Sequence, residues 1–194
     1  MSSPGVSPPS AVDPRKFRNV LGHFGTGVVI VTAPDGDGAP AGFACQSFAA
    51  LSLDPPLVLF CPVRGSRTWA AIEAAGRFCV NVLTEAQQPV CARFGARGVE
   101  DRFAGTAWHW SARGLPVLDE ALATIECTVA SVADGGDHHI VVGRVETLTA
   151  TGSDRPLLFY RGRYARIDTA EAAPAGWRAD LEHFLTTTTF DSWL

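Results

Sequence analysis

Two long strand-like segments, residues 121–133 and 138–149, constrain the fold of this chain more than any other feature. Both are rich in β-branched side chains, which favour extended backbone. The short connection between them, Asp134-Gly135-Gly136-Asp137, is typical of a tight hairpin turn. Such a connection permits antiparallel pairing only, because parallel strands need a crossover of about a dozen residues or more. We therefore predict a long hairpin within an antiparallel sheet.

Shorter segments with strand character surround this hairpin. They lie at residues 28–32, 41–53, 57–61, 78–83, 157–160 and 164–167. Short helices are predicted after Asp13, from Ser66 and over 85–94. Because the strands do not alternate with long helices, a doubly wound parallel sheet is disfavoured. The pattern favours a mainly β fold, an antiparallel barrel that is closed or nearly closed, since closure removes exposed strand edges.

Length and charge limit the possible classes of protein. The 194 residues suffice for one domain, expected at 13–168. A net charge of −4 without a basic cluster argues against a nucleic-acid partner, and no apolar run approaches the roughly 20 residues that cross a membrane. The Ser- and Pro-rich segment 1–12 lacks the features of a signal peptide, so we expect a flexible tail and a cytoplasmic protein.

The end of the chain is predicted to add a helical extension at 169–194. Trp177, Leu181, Phe184 and Leu185 recur there at the spacing of an amphipathic helix. Such a helix needs a surface on which to pack. That surface is either the chain's own barrel or a neighbouring subunit, and the sequence favours neither.

Three features that suggest metal or nucleotide chemistry have simpler interpretations. The five cysteines stand singly and are expected to be free thiols, mostly buried. His138 and His139 are adjacent on a strand, so their side chains point to opposite faces and a shared metal ion is disfavoured. The glycines at 22, 25 and 27 follow a helix and precede a strand, which is the opposite order from a dinucleotide-binding turn.

Two segments suggest a binding site. Ser66, Arg67 and Thr68 begin a helix after an apolar strand, and a helix N-terminus with hydroxyls and a guanidinium suits a phosphate group. Ser66 as an ordinary helix cap is an equally good interpretation. The segment 42–48 is small and polar between apolar stretches, so it suits either an edge strand or a strand whose main chain binds a flat heterocycle. His138 by itself is more typical of a structural histidine.

Six motifs together resemble the flavin reductase-like family of two-component monooxygenases. In order they are TGV at 26–28, SFxxLSLxPP at 47–56, SRT at 66–68, FxxNVL at 78–83, GDH at 136–138 and PLLxY at 156–160. One motif is weak, but six in the family's order form a specific resemblance over about 13–168. Segments 43–52, 77–85 and 187–194 further resemble the actinobacterial reductase components whose oxygenase acts on 3-hydroxy-9,10-seco-androstatriene-dione, a phenolic steroid of cholesterol degradation.

The resemblance implies a fold, an activity and a set of binding residues. The fold is an antiparallel, Greek-key split β-barrel of the FMN-binding type, usually a homodimer with flavin near the subunit interface. The activity is reduction of FMN or FAD by NADH, with NADPH less favoured, for a separate oxygenase component. Residues implied to contact the flavin ring are Thr26, Ala44, Cys45, Gln46 and Ser47; those for its phosphate are Ser66, Arg67 and Thr68; those for NADH are His138, Tyr160 and Arg161.

The chain departs from the family's pattern at two of these positions. Many relatives have Thr where Ala44 stands and Asn where Gln46 stands, so main-chain groups must replace a hydroxyl contact at 44. Hydride passes between the two cofactors, so no general acid or base is expected among the residues, and no metal.

Two alternatives remain open at this point. A split barrel that stores flavin without oxidising NADH would share every flavin-binding motif, and the GDH turn at 136–138 speaks against it. An oxidase of a phosphorylated vitamin would need a basic patch beyond Arg64 and Arg67.

Overall fold

The protein's computed structural model describes residues 12–151 and 155–167. The predictions of an N-terminal tail and of a C-terminal helix therefore fall almost wholly outside the described residues. Among the described residues no helix is long and apolar enough to cross a bilayer.

The described chain contains more strands than the sequence indicated. The strands are β1 Thr26–Gly27, β2 Val29–Pro34, β3 Pro40–Cys45, β4 Ala49–Leu53, β5 Pro56–Phe60, β6 Arg77–Val82, β7 Trp108–Trp110, β8 Pro116–Leu118, β9 Ala123–Gly135, β10 His138–Ala150, β11 Leu158–Tyr160 and β12 Arg163–Ala165. The helices are α1 Pro14–Leu21, α2 Arg67–Ala75 and α3 Gln88–Gly95, the last preceded by a 3₁₀ turn, Glu85–Gln87.

Seven strands form one antiparallel sheet in the order β3-β2-β6-β9-β10-β5-β4. The predicted long hairpin is confirmed as β9 and β10, which pair from His138 and Gly135 at the tip to Ala150 and Ala123 at the base. Its two-residue turn is Gly136-Asp137, where Gly136 has a φ of 80° that a residue with a side chain rarely adopts. The hairpin is thus the middle of the sheet.

The connection between β3 and β4 shows that this sheet curls on itself. The two strands occupy opposite ends of the sheet order, yet only residues 46–48 join them. A chain that short spans about 14 Å at most. The two edges must therefore lie close together, as in a split barrel. The prediction of one continuous strand over 41–53 was wrong, because the chain passes there from one edge of the sheet to the other.

Ser47 stabilises this crossing point. Its Oγ accepts a hydrogen bond from the main-chain N–H of Cys61 at 2.9 Å and lies 3.3 Å from the Cys45 sulfur. One hydroxyl therefore connects the end of β3 with the residue that follows β5.

The curled sheet encloses an apolar core. Phe60, Phe78, Val80 and Val141 are fully buried inside it. Helix α2 closes one side with Trp69 and Ile72, and Ser66 caps this helix by accepting from the Trp69 N–H at 3.2 Å. The hairpin of β7 and β8, which the sequence did not predict, covers part of the outer face through Leu115 and Val117.

Helix α1 begins as predicted but buries no residue. The Asp13 carboxylate accepts from the Arg15 N–H at 2.8 Å, and Pro14 occupies the first turn. The apolar residues that predicted this helix are all exposed, namely Phe17, Val20, Leu21 and Phe24.

Candidate functional site

The open edge of β3 is the structural basis of the candidate site. Among the described strands β3 pairs only with β2, so its other edge is available. The Gly42 carbonyl points to this edge, because it accepts hydrogen bonds from Arg102 Nη1 at 2.8 Å and from Thr68 Oγ1 at 3.3 Å. Main-chain groups two residues apart on a strand point the same way. The N–H and C=O of Ala44 therefore also face the open edge.

Two neighbouring cavities lie along this strand. One, of about 370 Å³, is lined by Ala44 and Gln46 together with Gly95 of α3 and Phe159 of β11. The other, of about 440 Å³, is lined by Pro40, Ala41 and Gly42 and by the predicted residues Ser66, Arg67 and Thr68. The structure thus brings the expected ring-binding strand and the expected phosphate-binding residues side by side.

A glycine is required at position 42, which lines the second of these cavities. A Cβ at position 42 would stand 2.6 Å from Cε1 of Phe94, a side chain that is buried in the packing of α3. The helix therefore approaches the strand closely enough to exclude any side chain there, and α3 forms a wall beside β3.

Arg102 is a site residue that the sequence analysis missed. Its guanidinium lines the same cavity as Arg67. Burial, and then the charge of nearby Arg67, lowers the pKa of Arg102. Two guanidiniums that repel each other at one cavity suit an anion such as a phosphate, which relieves the repulsion and gains charge-assisted hydrogen bonds.

Local sequence gave little sign of Arg102. The segment 101–111 is difficult to assign to a helix or a strand from its sequence, and Arg102 reaches the cavity because Asp101 shapes the turn that carries it. The Asp101 carboxylate accepts from the N–H groups of Phe103 at 2.9 Å and Ala104 at 3.0 Å. The Asx pattern at Asp101 predicts the turn, whereas the approach to Arg67 depends on the fold.

Carboxylates also border this cavity, at Asp35, Glu100 and Asp101. Asp35 is engaged in its own turn, since it accepts from the N–H groups of Asp37 at 3.0 Å and Ala39 at 2.8 Å. The two arginines therefore define a local anion site in a cavity whose rim carries both basic and acidic side chains. A strand edge with free main-chain groups next to such a site fits a flavin nucleotide, which has a flat polar ring and a side arm that bears phosphate.

Two predicted ring-binding residues are directed elsewhere. Cys45 is buried in the core at 4% exposure, and this burial raises the pKa of its thiol. The Ser47 hydroxyl is occupied with Cys61. Of the stretch 44–47, only Ala44 and Gln46 line the cavity.

His138 lies at the tip of the long hairpin. Its Nδ1 is 2.7 Å from the Asp137 carboxylate, and this hydrogen bond lowers the pKa of Asp137. The histidine pairs with Val63, and the His139 N–H donates to the Pro62 carbonyl at 2.9 Å. His138 is thus docked against the segment that leads into Ser66 and Arg67.

Thr26 and Tyr160 lie on a separate small sheet of β1, β11 and β12, and Arg161 lies in the turn between β11 and β12. Thr26 pairs with Phe159, and its buried Oγ1 has no hydrogen-bond partner among the described residues. Tyr160 contacts His23 edge-on, and the Arg161 N–H donates to the Gly22 carbonyl at 2.9 Å. Within the described ranges, no hydrogen bond or ring contact connects Tyr160 or Arg161 with His138. One chain therefore keeps the expected NADH residues in two places.

Comparison with known proteins decides the family. The sequence matches the family model of the flavin reductase like domain over residues 21–168. The chain belongs to this family. It is 58% identical over 190 residues to the reductase subunit HsaB of a flavin-dependent monooxygenase from Rhodococcus jostii, which covers 98% of this chain and 96% of that protein.

Solved structures of flavin reductases share the fold of this chain. Nitrilotriacetate monooxygenase component B from Mycobacterium thermoresistibile has a TM-score of 0.80 and 59% identity, covering 89% of this chain and 97% of that one. The NADH:FAD oxidoreductase SgcE6 of Streptomyces globisporus, in complex with NAD and FAD fragments, has a TM-score of 0.77 and 33% identity, covering 85% and 99%. The predicted split-barrel fold and the resemblance of the six motifs are both confirmed.

Proposed function

We propose that this flavin reductase uses NADH in the cytoplasm to reduce FMN or FAD and that it supplies the reduced flavin to a separate oxygenase. The observation that carries the proposal is the open edge of β3 at Ala44 beside the paired guanidiniums of Arg67 and Arg102. The near full-length similarity to a monooxygenase reductase subunit supports the oxygenase partner. We further propose a phenolic steroid as that partner's substrate, which the motifs at 43–52 and 77–85 support.

Each part of the site has a role that follows from its chemistry. The flavin, when bound, accepts hydride at its ring from the nicotinamide, so the residues need only bind and orient the two molecules. Arg67, Arg102 and the N-terminus of α2 hold the phosphate. The main-chain N–H of Ala44 is a fixed donor at the strand edge, and a fixed dipole stabilises negative charge without reorganising. His138, held by the ionised Asp137, orients the nicotinamide.

We also propose that the working unit is a homodimer. The candidate NADH residues lie in two separate places on one chain, and a second copy can bring them to a common site. We assign to the second copy the exposed apolar surface formed by Phe17, Val20 and Leu21 of α1 and by Phe24, which follows the helix. Isolated helices of this length are marginal in water, so α1 needs a partner surface.

The experiment that tests the activity is steady-state turnover of the purified protein. NADH or NADPH is combined with FMN or FAD in all four pairings, and oxidation is followed at 340 nm. We expect rapid loss of absorbance with NADH and either flavin, and slower loss with NADPH. Bound flavin without any oxidation of NADH at saturating flavin would instead identify a flavin-storage protein.

A further inference from the structure

Arg64 joins the two segments that the proposed reaction uses. Its Nε donates to the Gly136 carbonyl at 2.6 Å, and its Nη2 lies 2.5 Å from the Asp134 carboxylate. The Arg64 main-chain N–H also donates to the Asp137 carbonyl, at 3.1 Å. One residue therefore contacts three residues of the turn that presents His138, namely Asp134, Gly136 and Asp137.

The base of this turn is held by the pairing of His138 with Val63 and by the bond from the His139 N–H to the Pro62 carbonyl, but its tip is exposed. The tip of the β9–β10 hairpin extends beyond the core, and the side chains of Asp134 and Asp137 are 78% and 90% exposed. Gly136 adopts a φ of 80°, and glycine, which lacks a Cβ, has more backbone freedom than other residues when unrestrained. The His139 ring packs 5.4 Å from the buried ring of Trp69 and so holds the strand beside the turn, while polar contacts fix the exposed tip that carries His138.

The other side of Arg64 is the phosphate-binding segment. Arg64 precedes Ser66 and Arg67 by two and three positions on a short connection that begins at Pro62. The Ser66 N–H donates to the Val63 carbonyl at 3.0 Å, which closes a turn around Arg64. The loop that holds the flavin phosphate is thus the platform on which the His138 turn rests.

We propose that Arg64 is a positioning residue for NADH, acting through His138 rather than by contact with either cofactor. This inference rests on the proposed flavin reductase activity and adds a residue to it. Arg64 orients the hairpin tip relative to the flavin loop, so that the nicotinamide is presented to the bound ring. A planar guanidinium suits this role, because it can donate to a carbonyl and a carboxylate at the same time. A lysine ammonium is a compact point charge without this fixed geometry.

The test compares Arg64→Ala with Arg166→Ala in the full-length chain. Arg166 is a matched control, because it also makes a surface ion pair, 2.7 Å from Glu85, but does not contact the hairpin tip. For Arg64→Ala we expect the KM for NADH to rise about fivefold to tenfold, while the Kd for FMN changes less than twofold. Arg166→Ala should match the wild type in both. Arg64→Lys should restore part of the loss.

A double-mutant cycle separates positioning from a general structural effect. His138→Ala alone should raise the KM for NADH, and Arg64→Ala should add no further loss in that background. Asp134→Asn weakens the ion pair with Arg64 from the hairpin side. It should therefore raise the KM for NADH as Arg64→Ala does, but to a smaller extent.

Three results would overturn the inference while leaving the proposed function intact. They are an unchanged KM for NADH in an active Arg64→Ala protein, an equal loss of FMN affinity, and fully additive losses in the cycle. Failure of the wild-type protein to oxidise NADH with any flavin is a different outcome. It would remove the proposed function and this inference with it.

Discussion

Arg67 and Arg102 are far apart in the sequence, yet both line one cavity beside Gly42. Arg67 could be predicted from its place at a helix start after an apolar strand, where chemistry and local structure coincide. Arg102 could not be predicted, because its segment has no clear helical or strand pattern and its closeness to Arg67 arises only from the fold. Cys45 illustrates the reverse error, since strand alternation sends its thiol into the core although its neighbours line the site.

The anion site makes a prediction about which flavins bind. Arg102→Gln should weaken FMN binding about 10- to 100-fold, because a charge-assisted hydrogen bond of about 1.5–3 kcal/mol is lost. Riboflavin has the same ring without the phosphate, so its affinity should change little. Fluorescence titration with both flavins measures this difference. An equal loss for riboflavin and FMN would show that Arg102 shapes the ring-binding strand through Gly42 instead.

The cysteines make a prediction about reactivity. All five are free, and burial raises the pKa of Cys79 and Cys127 to about 12 and also raises that of Cys45 and Cys91. A thiol with a pKa near 12 has roughly a thousandfold less thiolate at pH 8 than one near 9, and the thiolate is the nucleophile.

In a native assay with a disulfide reagent at pH 8, about one thiol per chain should therefore react quickly. We expect this to be the half-buried Cys61, and Cys61→Ser should abolish the fast phase. Unfolding in denaturant should expose all five. Fast reaction of several thiols in the native protein would contradict the burial that the fold gives them.

At the scale of elements, the long hairpin was predictable and the crossing from β3 to β4 was not. Residues 121–149 carry both signals that define a hairpin, extended-chain side chains and a glycine turn. Segment 41–53 was predicted as one strand although 42–48 is small and polar, because a residue's preference for extended backbone does not show with which strand it pairs. The break at 46–48 reflects two different partners, β2 and β5.

Asn81, in the FxxNVL motif, explains how the unpredicted hairpin of β7 and β8 is attached. Its fully buried amide donates to the Ile30 carbonyl at 3.1 Å and accepts from the Leu118 N–H at 2.8 Å. The neighbouring Thr32 hydroxyl donates to the Pro116 carbonyl at 2.5 Å. These polar groups fasten β8 to the outer face of the large sheet.

Asn81→Ala should therefore lower the free energy of unfolding by about 1–3 kcal/mol, because it leaves a buried N–H without a partner. Urea denaturation measures this change. Asn19→Ala, at an exposed position in α1, is the control and should change stability by less than about 0.5 kcal/mol. Equal midpoints for the two variants would show that the hairpin is held mainly by its apolar contacts.

At the scale of the whole molecule, closure of the sheet creates the site. Residues 46–48 bring the two end strands of the sheet, β3 and β4, close together. No further strand pairs with β3 among the described residues, so its main-chain groups beside α2 and α3 stay free. An edge of this kind is a liability in most proteins, since it invites pairing with another chain. Here the close approach of Phe94 at Gly42 and the bonds from Arg102 and Thr68 protect one end of the row and leave Ala44 accessible.

The exposed apolar side chains around α1 bear on the assembly of the whole molecule. A face of four large apolar side chains around α1 is unfavourable in water, and burying such a face between two copies offers the free energy that holds a dimer together. Phe17→Glu combined with Leu21→Glu should therefore convert a dimer into a monomer, as measured by light scattering after size exclusion. Because the exposed side chains contribute nothing to the core of one chain, the variant should keep its thermal transition at high dilution, where a wild-type dimer would also dissociate.

A matched control is Arg18→Glu together with Arg15→Glu, which adds the same kind of charge to other positions of the helix and should leave the dimer formed if the apolar face is the contact. Turnover then distinguishes two roles for the second copy. If NADH oxidation falls with dissociation while FMN binding persists, the partner completes the NADH site, in agreement with the separation of His138 from Tyr160 and Arg161 on one chain. A Phe17→Glu, Leu21→Glu protein that stays dimeric would place the subunit contact on another surface and leave α1 to be covered by a different part of the assembly.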